Sequence, residues 1–127
     1  MYGIKATTDL SFLKGKTLCQ VCFGPYDLQL NFAEGITRIS VQSTIGYGAS
    51  DGTYAKRVIG KGPCMSEVLE DTGFLLRLLM KEIEEVHWTA EGTMTLTFAG
   101  GSQLQIYDDS QQFESYTIEN GNQPIVV

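Results

Sequence analysis

Few residues in this chain are suited to chemistry, and their spacing decides what each can do. Cys19-x-x-Cys22 has the spacing of a zinc or redox motif. The flanking Leu18, Val21 and Phe23 read as a strand, and on a strand residues three apart point to opposite faces. The two sulfurs would then diverge. Cys64 follows Pro63 and belongs to no second Cys-x-x-Cys. His87, the single histidine, alternates with Val86 and Trp88, so it faces solvent if they face inward. We therefore expect no metal site and no cofactor. A hydrolase triad would need His87, and no Gly-x-Ser-x-Gly elbow supplies its nucleophile. Gly46-x-Gly48-x-x-x-Gly52 lacks the Lys-Ser/Thr of a phosphate loop, and no helix follows it, so it reads as hairpin flexibility.

The polar cluster with most content runs from Asp108 to Ile118. Asp108, Asp109 and Ser110 follow an apolar strand pattern, where side-chain oxygens cap turns. If the next strand starts at Glu114, that carboxylate shares an inward face with Tyr116 and Ile118. It must then pair with Lys56, Arg57 or Arg38, or line a pocket. The candidate ligand-binding residues are Trp88, Tyr107, Asp108, Asp109, Glu114 and Tyr116, around a pocket between two β-units. No catalytic set is assigned, although Asp108, Asp109 and Glu114 are the carboxylates an enzyme would use.

The elements that must position these residues come in two similar sets. Leu18-x-x-Val21-x-Phe23 is answered by Ile83-x-x-Val86-x-Trp88. Leu28-x-Leu30-x-Phe32-Ala33-x-Gly35 is answered by Met94-x-Leu96-x-Phe98-Ala99-x-Gly101. The offset is 65 residues in the first block and 66 in the second, so one loop residue is gained between them. Strict alternation in Leu28–Phe32 marks strands with one buried face. Ile39 and Val41 continue the first meander, and Leu104 to Tyr107 repeats it out of phase by one residue, which a bulge or a different turn explains. Asp51-Gly52 predicts a type I′ hairpin tip. Ser66 to Lys81 reads as a helix whose segment Phe74–Met80 is apolar but for Arg77. The expected fold class is α+β: β-rich, two related antiparallel meanders around a shared core, with one main helix between them. The repeat units are about 9–41 and 72–107 of a single domain, 1–127. The expected core is Val21, Phe23, Leu30, Phe32, Val86, Trp88, Leu96 and Phe98.

With 127 residues, 43% of them hydrophobic, the chain can bury a core. A net charge of −6 disfavours nucleic acid and anionic membrane surfaces, and leaves a basic protein partner open. The longest apolar run is too short to cross a bilayer. The start shows no basic region followed by an apolar stretch, and three cysteines are an odd number, so the expected location is the reducing cytoplasm. The surplus of apolar surface on Phe74–Met80 predicts a homodimer, through that segment or an exposed edge strand.

Asp108-Asp109-Ser110-x-x-Phe113-Glu114-Ser115-Tyr116-x-Ile118, preceded by Met94-x-Leu96-x-Phe98-Ala99-x-Gly101, resembles the C-terminal signature of a family of small bacterial single-domain proteins of unknown function. Gln20-Val21-Cys22-Phe23-Gly24-Pro25-Tyr26 is similar to that family's first strand and turn. Phe113 stands where the family pattern has tyrosine. The resemblance implies a bacterial origin and a β-rich fold, and brings no catalytic residues. Three functions remain in view: a non-catalytic interaction module, for instance one that neutralises a basic partner as immunity proteins do; a small-ligand binder; and an enzyme built on the carboxylates.

Overall fold

Alternation of apolar and polar residues dominates the chain, and the computed structural model turns it into strands. It describes residues 2–33, 35–59, 73–111 and 114–127. The strands are β1 (Leu18–Phe23), β2 (Leu28–Phe32), β3 (Thr37–Val41), β4 (Thr44–Gly48) and β5 (Tyr54–Val58). After them come β6 (Ile83–Trp88), β7 (Met94–Phe98), β8 (Gln103–Ile106), β9 (Tyr116–Asn120) and β10 (Ile125–Val126). Every pairing is antiparallel.

Among the described residues the strands form two five-stranded sheets, β1-β2-β3-β9-β10 and β5-β4-β8-β7-β6. The order shows an exchange. Each half of the chain makes a three-stranded meander, β1-β2-β3 or β6-β7-β8. Each then sends its last hairpin, β4-β5 or β9-β10, to the other half's sheet. Only Gln42 and Ser43 separate β3 from β4, so the chain changes sheets in one tight corner.

The repeat extends to single hydrogen bonds. Leu18 faces Phe32 as Ile83 faces Phe98, and Leu30 faces Ile39 as Leu96 faces Leu104. β1 and β6 both carry a bulge at the same place, between Leu18 and Gln20 and between Ile83 and Glu85. Where the halves meet, Thr17 bridges its own counterpart, Glu82. Around that bridge, Gly15 N–H donates to Ile83 O at 2.8 Å, and Met80 N–H donates to Leu18 O at 2.7 Å. Ile83 N–H donates to Lys16 O at 2.8 Å, and Leu18 N–H donates to Lys81 O at 3.0 Å. These reciprocal pairs are what an approximate two-fold axis between the halves requires. The phase slip of the third strand lies in the turns, since the β7–β8 turn is one residue shorter than the β2–β3 turn.

The inward faces of both sheets join one buried cluster, including Leu28, Leu30, Ile39 and Ile118 from one sheet and Ile45, Met94, Leu96 and Ile106 from the other. Leu30, Phe32, Leu96 and Phe98 are buried as expected. Val21, Phe23, Val86 and Trp88 only pack against the cluster, because β1 and β6 are edge strands with one flank in solvent.

The expected α+β class is overturned: the protein is almost all β, and among the described residues no helix reaches seven residues. Residues 66–72 of the expected helix lie outside the described residues. Its remainder forms a 3₁₀ turn, Gly73–Leu78, that buries Leu75 and Leu78 and leaves Leu76 51% exposed. Residues three apart eclipse each other in a 3₁₀ turn, so two leucines suffice to plug the core. The counterpart turn Ser11–Leu13 does the same with Leu10 and Leu13. The apolar run carries no 3.6-residue stripe, and this is why an α-helical reading of it fails. The β4–β5 tip also differs from a type I′ turn. Gly52 alone has positive φ there, and Gly52 N–H donates to Ala49 O at 3.0 Å, which is a type I turn followed by a left-handed glycine.

Candidate functional site

The connection from β8 to β9 holds most of the candidate residues. Asp108 is a hub. Its Oδ2 accepts Gly3 N–H at 2.7 Å, and its Oδ1 accepts the Ser115 hydroxyl at 2.7 Å. Ser115 Oγ in turn accepts Ser110 N–H at 3.0 Å. Gly92 in the β6–β7 turn lies so close that a Cβ there would stand 2.5 Å from Asp108 Cβ. One carboxylate thus ties the N-terminal segment to Ser115, just before β9, and packs closely on Gly92 in the β6–β7 turn. Asp109 holds the corner opposite: Thr44 Oγ1 donates to its Oδ2 at 2.5 Å, and Thr44 N–H to its Oδ1 at 3.2 Å. Ser43 Oγ closes the same corner by donating to Tyr107 O at 2.6 Å. Both aspartates were expected to cap the turn after their strand; the bonds they make run instead to residues distant in sequence, Gly3 and Ser115 for Asp108 and Thr44 for Asp109.

Tyr107 sits in a cluster on the outer face of the second sheet. Its hydroxyl donates to Gln105 Oε1 at 2.7 Å and lies 2.8 Å from the Tyr54 hydroxyl. Tyr54 OH is 3.1 Å from the same Gln105 oxygen. Lys56 Nζ stands 4.4 Å from the centre of the Tyr107 ring, within cation–π reach. Burial pushes the Tyr107 phenol up to about 12, and the hydrogen bond with Tyr54 and the charge of Asp109 add to the rise. The floor is Gly46, where a Cβ would collide with Tyr54 Oη. Tyr54 thus fills space that a side chain on β4 would otherwise occupy. Tyr54, Lys56, Gln105 and Gly46 were not among the candidates. The Gly46-x-Gly48 spacing was the available signal, because alternate glycines on a strand leave a gap that a neighbouring strand's side chain fills.

The remaining candidates are scattered. Tyr116 is 1% exposed and donates its hydroxyl to Gly92 O at 2.6 Å, so it is a core residue with a satisfied polar end. Burial pushes its phenol well above the usual tyrosine range. Trp88 ends edge strand β6, half-buried against the core. The expectation of an inward Glu114 is corrected: β9 begins at Tyr116, and Glu114 precedes it in an exposed position. Phe113 lies outside the described residues, as does Cys64. A groove of about 430 Å³ does exist, but it runs between the N-terminal segment and the β9–β10 hairpin, past Tyr2, Lys5, Pro124 and Val126. None of the six candidates lines it.

The bulge in β1 breaks the alternation that was expected to separate the sulfurs. Cys19 Sγ donates to Asn31 O at 3.3 Å, and Asn31 Nδ2 donates to Cys22 Sγ at 3.7 Å. Both thiols therefore lie against one residue. Among the described residues, no group of three or more His, Cys, Asp or Glu is arranged to hold a metal ion. No helix among them is long and apolar enough to cross a membrane. No protein-family model, curated protein or solved structure matches the chain.

Proposed function

We propose that the protein is a non-catalytic interaction module that binds a basic protein partner, in the manner of an immunity protein, and that it works as a homodimer in the cytoplasm of a bacterium. Kinship with the small bacterial family of the Asp108–Ile118 signature belongs to the same proposal. The observation that carries it is where the carboxylates stand. Asp108 and Asp109 spend theirs on backbone and hydroxyl donors within the fold. Glu82, Glu84, Glu85 and Glu91, on β6 and its flanks, stand exposed. An edge strand lined with acid repels other acidic surfaces and attracts cationic ones, and the attraction is screened by salt.

Titration with a fluorescent oligolysine peptide tests this reading. Binding at low salt should weaken several-fold in the Glu84→Gln/Glu85→Gln double variant and with added salt. Equal affinity of both proteins for the peptide would remove β6 as the binding edge. The groove beside Tyr2 and Val126 favours a second reading, a small-ligand site. A ligand held there would raise the melting temperature in a compound screen.

A further inference from the structure

The two halves share a backbone plan but treat their free edges in opposite ways. The outer strands are β1 and β10 in one sheet, and β5 and β6 in the other. β10 has two residues. β5 carries Lys56 and Arg57, and β6 carries Glu84 and Glu85. These are the usual ways a protein keeps an edge from pairing with another chain: shortness and charge. β1 has neither. Its sequence, Leu-Cys-Gln-Val-Cys-Phe, is six residues long and contains no charge. Leu18 gives its outward N–H and C=O to Lys81 and Met80, and beyond it no strand flanks Cys19–Phe23 on the side away from β2 among the described residues. Cys19 and Gln20 are exposed there, Val21 and Phe23 are half-buried, and Tyr26 in the following turn is 61% exposed.

We propose that β1 pairs antiparallel with β1 of a second copy, joining two five-stranded sheets across a two-fold axis. The inference rests on the interaction-module reading and names one partner for it. Antiparallel self-pairing is closed, because each strand offers the other the same surface. At β1 the pairing sets neutral side chains against neutral ones. At β6 the same act would set Glu84 and Glu85 against their own copies, and like charges across strands oppose pairing. The contrast at equivalent positions, Cys19 and Gln20 against Glu84 and Glu85, selects one edge for self-association and leaves the other free for a cationic partner. A short strand pair buries less surface than a permanent dimer needs, so the pairing is reversible.

Sedimentation across micromolar to millimolar concentrations tests it. The wild-type chain should shift from 14.0 kDa toward twice that mass. Gln20→Lys, which places two ammonium groups near the axis, should hold the protein at the monomer mass. Glu85→Lys, at the matching place in β6, should leave the dimer intact. Amide exchange in residues 19–23 should slow as concentration rises, a readout that needs no variant. A wild-type monomer at every concentration, or a dimer that survives Gln20→Lys, overturns the proposal. So does a dimer that Leu76→Glu abolishes and Gln20→Lys spares, which would move the contact to the 3₁₀ turn. Oligolysine binding by Gln20→Lys should equal that of wild type, so the β6 reading and the β1 proposal fail separately.

Discussion

The half with β1–β5 and the half with β6–β10 agree in backbone and differ in surface. Their bulges, their meander registers and the reciprocal bonds around Thr17 and Glu82 coincide. Their buried positions coincide in character too: Leu18 with Ile83, Leu28 with Met94, Phe32 with Phe98. On the outside, Cys22 corresponds to His87 and Gln20 to Glu85, and Gln42 stands where Tyr107 stands in the other half. Burial constrains volume and polarity at a site, while a solvated face tolerates most changes. What holds the fold has therefore been kept in both halves. What meets a partner is to be sought where they differ, at the β1 and β6 edges and around Tyr107.

The largest effects lie in the core. Phe32 and Phe98 are related by the repeat and are 4% and 0% exposed. Phe32→Ala and Phe98→Ala should each cost about 3–5 kcal/mol, since each removes a ring from a packed interior. Urea unfolding measures both. Costs that agree to within about 1 kcal/mol mean that the halves share the core evenly. A cost at Phe98 below about 1 kcal/mol would show that the second sheet does not close on the first. Trp88→Ala should cost less than Phe98→Ala, because the edge strand leaves that ring partly in water.

This division also explains what was legible in the sequence. Leu28, Leu30 and Phe32 alternate cleanly because they lie on an inner strand with one wet face, and their counterparts on β7 do the same. Such positions announce themselves by period. The exchange of hairpins left no trace, since Tyr47 pairs with Leu104 of the other half and sheet order follows no local pattern. The segment Phe74–Met80 misled because apolar content is not periodicity: Leu75 and Leu78 are fully buried and Phe74 and Leu79 pack against the core, while Leu76 and Met80 stand exposed. At Asp108 and Asp109 the sequence marked side chains that bond backbone and hydroxyl groups after a strand, but their partners Gly3 and Thr44 lie 105 and 65 residues away, which no local pattern reveals. Glu114 was misplaced by assuming that the strand began two residues early.

A smaller effect lies at the two-fold axis. Gly15 and Met80 are counterparts, and both have left-handed backbones, φ 90° and 67°. Glycine adopts that region freely, while a side chain there costs roughly 1–2 kcal/mol. Met80 is 75% exposed, so its side chain returns little packing for that strain. Met80→Gly should therefore raise stability by up to about 1 kcal/mol, after the extra entropy of an unfolded glycine is subtracted. Gly15→Met should lower it by a similar amount. Thermal melts of both variants give the answer. Destabilisation by Met80→Gly would mean that the methionine makes contacts that outweigh its backbone strain.

The smallest effect is confined to one half. Tyr107 has its phenol raised to about 12, chiefly by burial, while its counterpart Gln42 cannot ionise. The fold favours the protonated phenol, so the unfolded chain releases that proton first as pH rises. The contribution to stability is whole below about pH 10, the ordinary phenol range, and is lost as pH climbs through about 12. Tyr107 is only partly buried, so solvent screening keeps the contribution small. Absorbance titration of tyrosinate should show a late step that Tyr107→Phe removes. The same variant should flatten the fall in stability above the ordinary phenol range. It also deletes the hydroxyl that Tyr54 reaches across Gly46, so Tyr54 should become more mobile, while Gln42→Leu in the other half should change neither readout. If Tyr107→Phe leaves the late step unchanged, the hydroxyl cluster is not closed in solution, and the outer faces of the two sheets are more alike than their residues suggest.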